Sequence, residues 1–198
     1  MVTAIYERTL ENINRVRNLV KIYERIKDDK SEHNTDVLRA AVVLLHAALE
    51  DCLRSLSYSK LPFALPSELH KTEYKIQLGR VAEYREKTVD ELIKDVVFEY
   101  LGRATYNSSG DISKALKSLA ITLEKFDLSQ LDTAIKRRHG IVHRADRIDR
   151  EEEVGKVAPI QTTHVLKWVE EVERFVELVF ETQESQDNDK GVRPLNAK

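Results

Sequence analysis

Apolar side chains recur at spacings of three and four through most of this chain, a period that predicts helices rather than strands. Ile5, Leu10, Ile13, Val16, Val20, Tyr23 and Ile26 form the first stripe, over roughly Thr3 to Lys27, with Glu, Arg and Lys on the other faces. Asp28-Asp29-Lys30-Ser31 breaks the pattern, and Asn34, Thr35 and Asp36 offer N-caps for a second helix reaching about Tyr58. Leu38, Val42, Leu45, Leu49, Cys52 and Leu56 are its core stripe, and its wide apolar arc predicts a central position.

Pro62 and Pro66 fix a connection, after which Glu68 to Glu86 is polar and weakly periodic, consistent with short helices or an insertion. Thr88-Val89-Asp90-Glu91 opens another helix, with Leu92, Val96 and Tyr100 on one side. Asn107 to Gly110 reads as a turn, and Asp111 as the cap of a short helix bearing Ile112, Leu116 and Leu119. A further helix starts at Asp127 or Ser129 and runs to about Arg138, where Gly140 is placed to interrupt it. Gly155 to Pro159 is a loop; Thr162 or Thr163 caps a last helix with Val165, Val169, Val172, Val176 and Val179 inward. The expected fold is all-α: an up-and-down helical bundle of four main helices with short extra helices inserted in the middle. Residues 1–184 form the expected domain, and 185–198 a polar, disordered tail.

Composition narrows the function. Among 198 residues, 32 Lys+Arg face 34 Asp+Glu, a formal net charge of -2, which excludes a wholesale polyanion binder. One cysteine, Cys52, excludes an intrachain disulfide and fits a reducing compartment. The longest apolar stretch, Ala40 to Leu45, is far too short to span a bilayer. A soluble, cytoplasmic protein without a membrane partner is expected. The sequence has no Gly-rich phosphate loop, CxxC, HExxH or GxSxG, and no histidine–carboxylate grouping at metal spacing, so neither a metal nor a cofactor is expected.

One segment departs from this background. From Lys136 to Arg150 there are six Lys/Arg against two Asp, with His139 and His143 embedded and Ile141-Val142 as an apolar anchor. Clustered positive charge attracts phosphates, and imidazoles titrating near neutrality move protons. RNA cleavage through its own 2′-hydroxyl uses that combination: a base, an acid and a cation at the phosphate. Lys136, Arg137, Arg144 and Arg147 are the candidate RNA-binding residues. The alternative is a solvated basic face, with Arg144, Arg147 and Arg150 paired to Glu151, Glu152 and Glu153. An arginine followed five positions later by histidine is common by chance in a chain with six histidines.

Arg138-His139-Gly140-Ile141-Val142-His143 resembles the signature of the HEPN superfamily: an arginine, a polar residue, an apolar stretch, then a histidine. Arg137 meets the wider form of that spacing. Arg39-Ala40-Ala41-Val42-Val43-Leu44-Leu45-His46-Ala47-Ala48-Leu49-Glu50 is similar to the apolar helix with a trailing acid in several HEPN branches. The likeness is closest to the RiboL-PSP branch and covers most of the chain in order, making residues 1–184 an HEPN-like domain. It implies a dimerising helical bundle and, in active members, a metal-independent endoribonuclease acting on single-stranded or loop RNA in toxin or antiviral defence roles. An antitoxin or regulatory protein is then a candidate partner. Some members carry the fold without catalysis, so a dimerisation or partner-binding module is the alternative.

Position by position, the resemblance makes Arg138 the phosphate-holding arginine and His143 the general acid/base. His139 takes the polar slot, most often Asn in the family, with an assisting role. Ala145 stands where some toxin members carry a tyrosine. Arg39, His46 and Glu50 share a narrow sector beside the core stripe of the second helix. They read either as support orienting Arg138 or His143, or as an intrahelical ladder, and Arg138 could itself pair with Glu50. One acid/base histidine per chain, where the reaction wants two groups, also argues for a homodimer with the active site at its two-fold axis.

Overall fold

The stripes predicted above form helices in the computed structural model, which describes residues 2–28, 33–64, 66–70, 72, 74–148 and 155–189. In chain order these are α1 (Val2–Ile26), α2 (Asp36–Lys60), a 3-10 turn (Leu61–Phe63), α3 (Pro66–Leu69), α4 (Leu78–Glu83), α5 (Val89–Arg103), α6 (Ser109–Ser118), a second 3-10 turn (Leu128–Leu131), α7 (Asp132–Arg144) and α8 (Thr162–Asp189). Among the described residues the extended structure is one isolated antiparallel bridge, Arg147 to Val157. The fold is all-α.

Helix α2 is central, as its apolar arc predicts. Leu38, Ala41, Val42, Leu45, Ala48, Leu49, Cys52, Leu53 and Leu56 are all buried along it, and it packs against α1, α5, α6, α7 and α8. Side-chain pairs give the directions. Arg8 near the start of α1 bonds Asp51 and Ser55 near the end of α2. Tyr6 packs on Phe180, while Arg17 forks onto Glu173 and Glu24 accepts from Thr162, so α8 also runs against α1. Arg39 meets Asp146 just beyond α7, which makes α7 antiparallel to α2. The main helices therefore alternate up and down. Ile13, Val16, Leu45, Leu49, Phe175 and Val179 fill the space between them, each a buried side chain contributing roughly 1.5–3 kcal/mol relative to exposure.

Local chemistry sets most boundaries. Thr88 and Glu91 form a reciprocal capping box at α5, the Thr88 Oγ1 accepting from the Glu91 N–H at 3.2 Å. Four expectations are corrected. At α6 Ser108, not Asp111, is the cap; the Asp111 carboxylate reaches back to accept from the Asn107 N–H and the Ser108 hydroxyl. Tyr100 leaves the buried side of α5 to stack on Tyr74, and Val97 and Leu101 take its place beside Leu92 and Val96. Gly140 does not interrupt α7, which continues to Arg144. The last helix runs to Asp189, beyond the boundary expected at 184: Ser185 bonds back to Glu181, and Gln186 donates to the Ala120 carbonyl. The rest of the expected tail lies outside the described residues.

Candidate functional site

Helix α7 carries the candidate site because its two sides differ. Leu131, Ala134 and Ile135 anchor it inward. Ala145 and Asp146 then both adopt left-handed backbone, φ 49° and 59°, where L-residues lose roughly 1–2 kcal/mol each. What holds them there is the Asp146 side chain, only 3% exposed. Its Oδ2 accepts from Arg39 Nε at 2.8 Å and from Arg137 Nη2 at 2.6 Å. Arg39 also donates to Thr35 Oγ1 and the Ala158 carbonyl, and Arg137 to the Ala158 and Pro159 carbonyls. The Asp146 backbone N–H bonds to the Gly140 carbonyl, and the Asp146 carbonyl accepts from Ala158. One buried carboxylate thus fastens the end of α7 to α2 and to the segment leading into α8.

Two of the candidate residues meet at this carboxylate. Arg39 of α2 binds Asp146. Arg137, a candidate RNA contact and alternative motif arginine, is drawn into the same cluster. The sequence signal missed was Asp146 itself, a carboxylate inside a basic run and the natural partner for any arginine folded inward.

Arg138 takes a different environment. It is half-buried, its charge is close enough to act on His46 of α2, and its Nη1 makes only a long contact, 3.4 Å, to Asn107 Oδ1. Its Nε is buried with no acceptor among the described residues. No ion pair to Glu50 forms, so its capacity to donate is largely unused. Glu50 instead faces His46, Oε1 to Nε2 at 3.4 Å, so the intrahelical ladder is realised for that pair alone. Burial pushes the His46 pKa below the usual histidine range; Arg138 acts in the same direction and Glu50 opposes both.

His139 and His143, one turn apart, lie exposed with ring centroids 4.4 Å apart and planes tilted by 42°. Five positions separate Arg138 from His143, about 140° around a helix. Arg138 accordingly lies toward α2 while His143 lies on the solvent side. Lys136, Arg144 and Arg147 line a shallow depression, with Arg147 Nη1 donating to the Gly155 carbonyl at 2.5 Å. The alternative pairing of these arginines with Glu151–Glu153 involves residues outside those described.

Cys52 is fully buried and its thiol is pushed up to about 11 by burial, which suits a core residue. No group of three or more His, Cys, Asp or Glu able to hold a metal ion occurs among the described residues, and no described helix is long and apolar enough to cross a membrane.

No curated protein and no solved structure matches this chain. The sequence model of the RiboL-PSP-HEPN family matches residues 10–183, a span that includes α2, the His46–Glu50 pair, the Asp146 cluster and both histidines of α7. The chain belongs to the RiboL-PSP-HEPN family.

Proposed function

We propose that this protein is a metal-independent endoribonuclease that cleaves single-stranded or loop RNA by attack of the 2′-hydroxyl on the adjacent phosphate. The observation that carries the proposal is the exposed His139–His143 pair at 4.4 Å, on a helix that also carries the half-buried Arg138, whose Nε has no acceptor among the described residues. One imidazole takes the 2′-hydroxyl proton, the 2′-oxygen bonds to phosphorus, and the 5′-oxygen leaves with a proton from a second imidazole. The products are a 2′,3′-cyclic phosphate and a 5′-hydroxyl. Arg138 stabilises the charge of the phosphorane with its planar fork. His143 is the principal acid/base, and His139 assists.

A homodimer fits this division of labour. The Arg138 and His143 side chains diverge around α7, so a two-fold axis beside α7 would supply His143 from one copy opposite Arg138 of the other. The working context that follows from the family is a toxin or antiviral defence effector in the cytoplasm, held in check by an antitoxin or regulatory protein. The modest overall charge supports an enzyme whose basic zone is confined to its cleft.

A non-catalytic partner-binding module is the second reading. It is favoured by the aromatic cluster of Tyr58, Phe63 and Phe98, the last two 71% and 62% exposed, where the Tyr58 and Phe98 rings meet edge to face. The deciding experiment is cleavage of total tRNA and of a labelled single-stranded RNA in EDTA by wild type and His143→Ala. Cyclic-phosphate ends from wild type alone support the nuclease; equal, negligible cleavage by both favours the module.

A further inference from the structure

Among the described residues the Arg138 side chain makes one hydrogen bond, and its acceptor comes from outside α7: Asn107 Oδ1, in the turn between α5 and α6, lies 3.4 Å from Nη1. Asn107 is exposed, so burial of its side chain does not hold it there. The turn itself is fixed from both ends. Just before it, Tyr106 is buried, with the Arg54 guanidinium 5.8 Å from the centre of its ring. Just after it, the Asp111 carboxylate of α6 accepts from the Asn107 N–H at 3.1 Å and from the Ser108 hydroxyl at 2.9 Å. Asp132 of α7 then accepts from the Ser109 N–H and hydroxyl, at 2.9 and 3.0 Å. Asp132 and Arg138 belong to one helix, about 9 Å apart along its axis, so the turn is tied to the same rod whose arginine it meets.

The chemistry of the contact has one direction. A guanidinium has donors and no acceptor, so the amide oxygen of Asn107 must be the atom facing it. On its other side Arg138 lies toward α2, where its charge acts on His46. Its Nε finds no acceptor, so Asn107 alone sets by hydrogen bonding which way the fork turns. A neutral acceptor does this without cancelling the charge that a phosphate needs, as a carboxylate would. Contacts of this kind are often long before substrate arrives. We infer that Asn107 is a positioning residue: it acts through Arg138, holding the guanidinium plane in the orientation that receives the phosphate. The role rests on the ribonuclease reading; the hold on Arg138 does not.

Two measurements on the full-length protein test it. The first reads the hold directly, from NMR relaxation of the Arg138 Nε–H group in wild type and in Asn107→Ala. An ordered group that becomes mobile in the variant is expected, and unchanged order overturns the inference. The second is cleavage of labelled single-stranded RNA in EDTA by wild type, Asn107→Ala, Arg138→Lys and the double variant. In Asn107→Ala, kcat/KM is expected to fall about tenfold, through kcat rather than KM, with an unchanged melting temperature. In the Arg138→Lys background there is no planar fork to orient, and the same change should cost less than about twofold. Wild-type rates in Asn107→Ala, or an equal loss in both backgrounds, overturn the role and leave standing a nuclease that His143→Ala silences. No cleavage by wild type overturns the ribonuclease reading and the positioning role with it, whatever the relaxation shows.

Discussion

Arg137 and His143 come from the same short basic segment, yet α7 carries them into opposite circumstances. Arg137 is drawn in with Arg39 to a carboxylate that is 3% exposed, while His143 stands in solvent beside His139. The inward group is fixed by distances under 3 Å and holds the backbone left-handed at the helix end; the outward group is held mainly by the helix itself. Positive charge counted along a sequence is therefore not positive charge offered to a ligand. Within this segment Arg137 joins Arg39 in holding the fold together, while His139 and His143 stay in solvent.

The sharpest way to break this contrast is His143→Ala. If the outer face is catalytic and not structural, cleavage falls by about 10²–10⁴-fold while stability stays within roughly 0.5 kcal/mol of wild type, read by cyclic-phosphate yield and urea denaturation. A large loss of stability would place His143 with the architectural residues. Asp146→Ala probes the other side. Leaving two part-buried guanidinium groups without their carboxylate costs about 3 kcal/mol, the low end of the range for a broken buried pair because carbonyl acceptors remain. A urea midpoint equal to wild type would reduce the cluster to ornament.

A pH series sharpens the boundary between the two regions, where His46 faces Glu50 and Arg138. The folded state holds the His46 pKa below that of the unfolded chain, so the unfolded chain takes up a proton first as pH falls. The contribution of His46 to stability is thus whole above the ordinary histidine pKa and is lost as pH drops through the window below it. Wild type should lose more stability between pH 7.5 and 5.5 than His46→Gln does; parallel curves would show that His46 titrates normally. The smallest expected effect is on Gly140→Ala, which should stabilise α7 by about 0.5–1 kcal/mol because its Cβ meets nothing closer than 3.9 Å. Destabilisation there would mean that the turn at Ala145–Asp146 needs the missing methyl.

The bundle was legible in the sequence because its signal is repeated: each long helix has several turns of apolar spacing, and any one residue can be misread without changing the outcome. Tyr100 shows the limit. Its position fits the stripe of α5, but a phenol stacks as well on Tyr74 as it packs in a core. The candidate histidines and Arg138 are marked out by their residue types and spacing alone. Asp146 and Asn107 were not, because their roles depend on partners brought from α2 and α7, and no periodicity within one segment encodes such meetings. Gly140 misled for a related reason: a glycine announces freedom of the backbone, and in α7 that freedom is not used.

The lone thiol has a practical consequence. Cys52 sits at the centre of α2 with no exposed surface, and its thiolate is disfavoured until about pH 11. A thiol reagent added to the native protein reaches Cys52 only when an opening exposes the core face of α2, so the rate at which the label accumulates counts such openings. The chain carries its own clock for unfolding, and that clock can be read in crude mixtures, at low concentration, and with any bound partner in place.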